Sequence, residues 1–143
     1  MTVPSARVLQ MRLIVETDDY DAAVEFYRDA LGAAQELQIH SDGDQRVTVL
    51  DVGRATLEIS SPQQVDMIDR VEVGRRVSPR LRVAFEVANA QAVTNDLVQA
   101  GAELLAAPTR TPWQSLNARL RAPGDLQLTV FQELDSSASD NDP

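Results

Sequence analysis

The sequence predicts an α+β fold of two βαβββ modules, which would form cup-shaped mixed sheets around a central cleft. Three observations support this prediction. The first is that strand-like alternation over Val8–Glu16 passes directly into a helical apolar pattern that ends near Gly32. The second is that three short strand-like runs follow this helix. The third is an internal repeat, because a shift of about seventy positions lays Arg12 on Arg82 and then repeats the same order of elements.

The first strand and helix form the unit around which the module is built. Alternate residues of the strand are apolar, as expected for a half-buried strand: Leu9, Met11, Leu13 and Val15. In the next segment, apolar residues recur at three- and four-residue steps and predict one packed helical face: Ala23, Phe26, Tyr27, Ala30 and Leu31. Asp18 or Asp19 would cap the start of this helix, and Gly32 would end it in the left-handed conformation.

Three further strands complete the first module, over residues 33–40, 45–52 and 55–60. Turn-forming residues separate them at 41–44 and 53–54. In the third strand, Val47 and Val49 face one side, and Thr48 and Leu50 face the other. A helical connector follows over 61–79, with Pro62 suited to the first helical position.

The second module repeats this order. Its first strand covers 81–87, and a helix capped by Asn89 follows, with one apolar face: Ala90, Val93, Leu97 and Ala100. Three strands are expected within 102–108, 114–122 and 126–134, and one extra residue of shift lays Gly53 on Gly124 and Glu58 on Thr129. We therefore expect a single domain over 8–134, with modules at 8–60 and 80–134. An N-terminal extension (1–7) and a disordered acidic tail (135–143) would flank it.

Composition excludes several functional classes. A net charge of −9 argues against duplex nucleic acid as a partner, because phosphates need a basic surface. The same charge would suit a cationic ligand or serve only solubility. Without cysteine, the chain has no disulfide, thiolate metal site or cysteine nucleophile. No apolar run approaches the ~20 residues of a membrane span, and the N-terminus lacks the apolar segment of a signal peptide. These features predict a cytoplasmic protein without a membrane partner.

The run TDDYDAAVEFYRDALG (17–32), the paired modules and the turn APGDLQLTVF (122–131) resemble the vicinal oxygen chelate superfamily. Members include glyoxalase I, extradiol dioxygenases, fosfomycin-resistance enzymes and bleomycin-resistance proteins. The resemblance covers about residues 8–134. It implies the two-module fold and favours a homodimer, because such sheets leave edges and an apolar face to pair. A shared fold does not by itself imply a shared activity.

In metal-dependent members of this superfamily, four inward-facing positions on the first and last strands of each module carry the metal ligands. The resemblance places Arg12, Glu58, Arg82 and Thr129 at these positions. Only Glu58 is a common ligand type, and a guanidinium group repels a cation instead of binding it. The single histidine, His40, lies on another strand and has no histidine partner. We therefore expect no metal and no other cofactor, as in the metal-free antibiotic-binding members.

Arg12, Glu58 and Arg82 should converge at the centre of the cleft. Two interpretations of this cluster are compatible. Glu58 could pair with one or both arginines and tie the modules together, a role that need not add much stability. Alternatively, one arginine stays free to bind an anionic or carbonyl oxygen of a ligand.

The remaining candidate residues describe a cleft with mostly apolar walls. Trp113, the only tryptophan, would lie at the rim and either stack on a planar ligand or plug the rim. Ala84 would add to the apolar wall. The sequence shows no nucleophile–base arrangement, so no catalytic residue is expected. The predicted ligand-binding set is Arg12, Ile14, Leu50, Glu58, Arg82, Trp113, Asn117, Thr129 and Phe131.

Three functions compete on this evidence. The first is a metal-independent binding protein that sequesters an aromatic antibiotic or another planar natural product, as a dimer. The second is an enzyme of the glyoxalase or lyase kind with an altered centre, which predicts a divalent ion at Glu58. The third is a non-catalytic partner protein whose cleft is filled by its own side chains. The absence of the family's ligand set favours the first.

Overall fold

The computed structural model describes residues 7–122 and 125–134. The predicted acidic tail, residues 1–6 and the turn glycine Gly124 lie outside the described residues. Within these residues, eight strands and three helices follow one another. The first half contains β1 Val8–Glu16, α1 Tyr20–Val24 with a π-helical continuation Glu25–Ala30, β2 Ala34–His40, β3 Arg46–Asp51 and β4 Thr56–Ser60. The connector helix α2 Pro62–Glu72 leads to β5 Leu81–Val87, α3 Ala90–Gln99, β6 Glu103–Arg110, β7 Ser115–Arg121 and β8 Gln127–Glu133. Over the described part of the chain, every helix is too short or too polar to cross a membrane.

The eight strands form one sheet, in the order β2-β3-β4-β1-β5-β8-β7-β6. Within each module the first and last strands are parallel neighbours, and the two first strands pair antiparallel at the centre. The sheet is therefore mixed and the predicted α+β fold of two βαβββ modules is confirmed, with both modules joined in one continuous sheet. Leu13 pairs with Val83 at the centre, so the seventy-residue repeat is also the local symmetry of the sheet.

The register explains how the repeat carries side chains to equivalent places. Glu58 of β4 lies beside Ile14 of β1, and Thr129 of β8 lies beside Ala84 of β5. The second half has one extra residue, which falls in the chain between β5 and β8. Glu58 and Thr129 are therefore equivalent, as the repeat in the sequence predicts.

The first helix is only partly as predicted. Asp19 accepts a hydrogen bond from the Ala22 amide at its start, and Gly32 follows its end with φ of 92°. After Val24, however, the helix widens to the π form, in which the Leu31 amide bonds to the Phe26 carbonyl. Buried or half-buried apolar residues lie at 20, 23, 24 and 27, so the packed face runs through Tyr27 and not through Phe26. The predicted packing of Phe26, Ala30 and Leu31 is wrong, because all three are exposed.

Helices α1 and α3 cover one face of the sheet, and each lies over a separate core. Under α1, the core consists of Tyr20, Val24, Ala33, Leu50, Leu57 and Ile59. Under α3, which Asn89 caps, it consists of Val87, Ala90, Ala118, Leu120 and Val130. The connector helix α2 packs against β3, β4, β6 and β7 and contributes side chains to the opposite face, where the cleft lies.

Leu50 belongs to the first of these cores. The expectation that it forms part of the cleft wall is wrong, because its side chain is fully buried on the helical face. In β3 the residue beside Glu58 is Val49, so the odd-numbered residues Val47 and Val49 share the cleft face. Alternation separates two faces of a strand, but only the register with β4 decides which one faces the cleft.

Candidate ligand-binding site

A cavity of about 590 Å³ lies over the centre of the sheet on the face opposite α1 and α3. Alternate residues of the central strands form its floor, and α2 forms one side. Eight of the nine predicted ligand-binding residues line it: Arg12, Ile14, Glu58, Arg82, Trp113, Asn117, Thr129 and Phe131. Leu50, as described above, is the ninth and lies on the other face.

Among the lining residues that sequence reasoning missed are two groups that form walls of the cavity. Val47 and Val49 come from β3 and supply the apolar wall that had been assigned to Leu50. The second group comes from α2, which the sequence treats only as a connector: Gln64, Val65, Met67, Ile68 and Glu72. The apolar spacing of α2 indicates a packed helix, but no pattern in the sequence indicates that this helix lies over the cleft.

Arg12 is paired with acidic and polar neighbours. Its Nη1 lies 3.0 Å from Glu58 Oε1, and its Nε donates to Gln10 Oε1 at 2.9 Å. Its Nη2 lies 3.6 Å from Glu133 Oε1, and the guanidinium lies 4.9 Å from the ring centre of Phe131. Arg12 therefore joins the first and last strands of the first module to β8. This arrangement corresponds to the first of the two interpretations, in which Glu58 pairs with an arginine and ties the modules together.

Arg82 has a different environment. Its side chain is 6% exposed, and among the described residues no carboxylate lies within ion-pair distance of it. Its Nη1 donates a hydrogen bond to the Thr129 hydroxyl, while its buried Nε has no partner in the described part of the chain. Arg82 is therefore a buried cation with free donor capacity at the floor of the cavity.

Burial, followed by the positive charge of Arg119, lowers the pKa of Arg82 to about 10. Acidic groups at a greater distance, Glu72 first among them, oppose this effect. A pKa of about 10 still leaves the guanidinium charged at neutral pH. The side chain therefore offers a desolvated positive charge to whatever occupies the cavity.

A buried ionic network lies beside Arg82 and anchors α2. Arg119 is fully buried and donates to Asp69 at 2.8 Å and to Glu72 at 2.7 Å. Arg76 extends the network to Glu16 at 2.6 Å and to Asp69 at 3.1 Å. Burial would raise the pKa of Asp69, but hydrogen bonds from Ser78, Arg119 and the Val77 amide hold it well below its usual range. The network fixes α2 and the 76–78 segment on β7, and with them one wall of the cavity.

Asn117 connects this network to the cavity. Its Nδ2 donates to Glu72 Oε2 at 2.7 Å, while the other oxygen of Glu72 accepts from Arg119. Asn117 Oδ1 is buried and has no hydrogen-bond partner among the described residues. A buried polar atom without a partner is uncommon in a folded protein and needs an explanation.

The four positions that resemble metal-ligand positions can be tested for their fit to a divalent cation. Glu58 is paired with Arg12, and the Thr129 hydroxyl accepts a hydrogen bond from Arg82. Two guanidinium groups thus place positive charge where a cation would need negative or neutral donors. His40 bonds the Gly43 carbonyl at an exposed turn. Across the described residues, no cluster of three His, Asp or Glu side chains is arranged to hold a metal ion. This donor set does not fit a metal.

Trp113 lines the cavity from the turn between β6 and β7. Gln114, the next residue, has a φ of 65°, and the Thr111 hydroxyl bonds Ser115, so the turn is tightly constrained. The indole is 43% exposed although it lines the cavity. A large aromatic surface at the mouth is therefore accessible both to solvent and to an incoming molecule.

The family is given by one of the comparisons with known proteins. The family model of the Glyoxalase/Bleomycin resistance protein/Dioxygenase superfamily matches residues 11–130. A comparison with curated proteins gave no match. Among solved structures, the methylmalonyl-CoA epimerase of Mycobacterium tuberculosis superposes with a TM-score of 0.68 at 19% identity, over 96% of this chain and 97% of the epimerase.

Two further structures give similar results. A glyoxalase/bleomycin resistance protein/dioxygenase superfamily member from Vibrio splendidus 12B01 gives a TM-score of 0.62 at 11% identity, over 87% of this chain and 99% of that one. A mutant 4-hydroxymandelate synthase from Streptomyces coelicolor gives 0.58 at 25% identity, over 90% of this chain and 38% of the synthase. The likenesses at 19% and 11% identity show a shared fold and leave the chemistry of the cavity open.

Proposed function

The chain belongs to the glyoxalase/bleomycin resistance protein/dioxygenase superfamily, and from that premise we propose that it is a metal-independent small-molecule-binding protein. The ligand class is a planar, mostly apolar organic molecule with an anionic or carbonyl oxygen, such as an aromatic antibiotic or a related natural product. Sequestration of that molecule is the function. The superfamily contains both enzymes and binding proteins, so the choice between them depends on the cavity.

The observation that carries the proposal is the free donor capacity of Arg82. A buried guanidinium without a carboxylate partner is unfavourable unless another group compensates it. Among the described residues only the Thr129 hydroxyl bonds it, and its Nε remains unpaired. A carboxylate or carbonyl oxygen entering the cavity would accept from the part of the guanidinium that lines it, and the buried setting would strengthen the hydrogen bond.

The walls of the cavity support a planar ligand. Apolar side chains surround the polar floor: Ile14, Val47, Val49, Val65, Ala84 and Phe131. A volume of about 590 Å³ falls in the ordinary range for small-molecule sites. The exposed face of Trp113 at the mouth offers a surface on which a flat ring can stack.

A second candidate is an enzyme with an altered centre. Glu58 favours it, because only one of its oxygens is bonded to Arg12, and the other is available at a partly exposed position in the cavity. Superfamily members of similar fold include a methylmalonyl-CoA epimerase. Stoichiometric binding of Zn²⁺, Ni²⁺, Mn²⁺ or Fe²⁺ that is lost in Glu58→Gln would favour this candidate and contradict the metal-independent one.

We also propose that the protein is a homodimer. Its two helical layers leave the central strand pair uncovered between them, with Leu9, Met11 and Leu81 exposed on that face. An apolar stripe flanked by helices is a common surface for association between copies. Sedimentation equilibrium should give twice the monomer mass, and Met11→Glu should reduce it. The cytoplasmic location expected from the sequence stays a prediction.

The decisive test of binding compares Arg82 with Arg80, two residues earlier in the chain. Arg82→Met removes the free donor, whereas Arg80→Met removes the same charge from an exposed pair with Asp18. With 2-naphthoate as the probe, titration calorimetry should show at least tenfold weaker binding to Arg82→Met and unchanged binding to Arg80→Met, because hydrogen bonds to charged groups contribute about 1.5–3 kcal/mol. Equal loss in both variants would indicate only a long-range charge effect and would contradict the proposal.

A further inference from the structure

The floor of the cavity has a local twofold symmetry that relates its two arginines. The central strands β1 and β5 pair antiparallel, with Leu13 opposite Val83. Arg12 precedes Leu13 on β1, and Arg82 precedes Val83 on β5. The two arginines therefore occupy equivalent positions on either side of the axis, and both line the cavity.

Each arginine makes the same contact with the last strand of its own module. Arg12 Nη1 lies 3.0 Å from Glu58 Oε1 on β4, and Arg82 Nη1 donates a hydrogen bond to the Thr129 hydroxyl on β8. Glu58 and Thr129 are equivalent positions of the repeat. A carboxylate cancels the charge of its arginine, whereas a hydroxyl does not. The residue at this one position therefore decides whether the arginine remains a net cation.

The two halves of the floor consequently differ in charge although their strands are symmetric. Glu58 forms an ion pair with Arg12 and is itself only 19% exposed, so solvent screens the pair weakly. The other carboxylate near Arg12, that of Glu133, is 3.6 Å away and mostly in solvent, where an ion pair contributes little. The first half of the floor is thus close to neutral. The second half presents the charge of Arg82.

We infer that the cavity selects ligands with a single anionic group over dianions of the same shape, and that Glu58 sets this selectivity. The inference rests on the proposed function and specifies the charge of its ligand. One carboxylate of a ligand would accept from Arg82. A second carboxylate in the other half would meet an arginine whose charge is already cancelled, and would lie near the negative Glu58. It would lose water without gaining a counter-charge.

Two probes of nearly equal shape test the selectivity on the unmodified protein. 2,6-Naphthalenedicarboxylate is a dianion at neutral pH, and its monomethyl ester carries one charge on the same ring system. Titration calorimetry should show about tenfold tighter binding of the monoester, because the second carboxylate of the dianion is desolvated without compensation. Equal binding of the two probes, or tighter binding of the dianion, would overturn the inference and leave the proposed function intact.

Glu58→Gln assigns the selectivity to one residue. It removes the charge while it keeps the length of the side chain, so Arg12 becomes a second net cation in the cavity. The affinity of the dianion relative to the monoester should rise about tenfold over the wild-type ratio, since hydrogen bonds between charged groups are the stronger ones. Glu103→Gln is the matched control, because Glu103 also lies 3.0 Å from an arginine, Arg121, in an exposed pair that does not line the cavity. Its ratio should stay within about threefold of the wild type.

The outcomes separate this inference from the proposed function. An unchanged ratio in Glu58→Gln would overturn the role of Glu58. An equal rise in Glu103→Gln would also overturn it, because the effect would then come from the net charge of the protein. Binding of the monoester to the wild type tests the proposed function by itself. If neither probe binds the wild-type protein, the proposed function fails together with the inference.

Discussion

Replacing Arg82 by methionine should make the protein more stable while it weakens ligand binding. Methionine has a similar length, packs in irregular apolar space and carries no charge. Arg82 is buried, without an ion-pair partner among the described residues, and with an unpaired Nε. A residue retained for binding at such a position should be unfavourable for folding, because its charge has lost its solvent without gaining a counter-charge.

The magnitude follows from the pKa. The fall in the pKa of Arg82 from its ordinary value to about 10 corresponds to about 3 kcal/mol by which the folded state disfavours the charged form. Because the folded pKa lies below the unfolded one, this penalty is complete at neutral pH and disappears only as the pH rises above about 10. Losing the hydrogen bond to Thr129 offsets about 1 kcal/mol. Arg82→Met should therefore raise the free energy of unfolding by about 2 kcal/mol.

Urea denaturation followed by far-ultraviolet circular dichroism at pH 7 measures this change. Arg80→Met is the matched control, since its exposed partner Asp18 makes it a surface pair, and its free energy of unfolding should stay within about 0.5 kcal/mol of the wild type. Arg12→Met should move in the opposite direction, because it leaves the half-buried Glu58 without its partner. Together the three variants separate a binding cation from structural ones.

A loss of stability in Arg82→Met would refute the reasoning. If its unfolding free energy falls by 1 kcal/mol or more, Arg82 must act as a structural counter-charge for Glu72 and Asp69, the acidic groups at longer range. The structural interpretation of the central cluster would then extend to both arginines. The proposed ligand anchor would lose its main support.

Three further predictions concern the network and the cavity mouth. Arg119→Leu should lower the free energy of unfolding by about 3–5 kcal/mol in urea denaturation, because it leaves Asp69 and Glu72 buried without their cation; a loss below 1 kcal/mol would contradict this. Since the pKa of Asp69 lies below its usual range, its contribution to stability should be complete above about pH 4 and decline below it, and Asp69→Asn should flatten that acid limb; an unchanged limb would exclude Asp69 as its source. Planar ligands should quench the fluorescence of Trp113, and a bound probe that leaves the emission unchanged would place the ligand away from the mouth.

Local patterns predicted the fold to a useful degree. The change from alternation to helical spacing located β1 and α1, and Asn89 and Ser61-Pro62 correctly marked the starts of α3 and α2. The internal repeat predicted that Glu58 and Thr129 occupy equivalent places, which the register bears out. These features succeeded because capping, alternation and repeats depend on residues close together in the chain.

The errors arose where a local pattern has two solutions. Leu50 and Val49 alternate in the same strand, and only pairing with β4 decides which side is the cleft. Phe26 and Leu31 were assigned to the packed face of the first helix, but that face runs through Tyr20, Val24 and Tyr27, and both residues are exposed. Nor could the pattern separate the two arginines of the central cluster, which look equivalent in the repeat.

The sequence by itself determined the two-module α+β architecture and the family, and its repeat placed Arg12 and Arg82 at equivalent positions. It could do so because these properties are written in residue type and spacing. Only the tertiary structure decided that Arg12 is paired and Arg82 is not, since that difference depends on Glu58 and Glu133 approaching one guanidinium and not the other. The same holds for α2 and the Asn117–Glu72–Arg119 chain, whose members are brought together from segments 45 or more residues apart. The distances between charged groups decide which of them compensate each other, and these distances are set by the tertiary structure. They therefore decide which charge remains unpaired in the cavity.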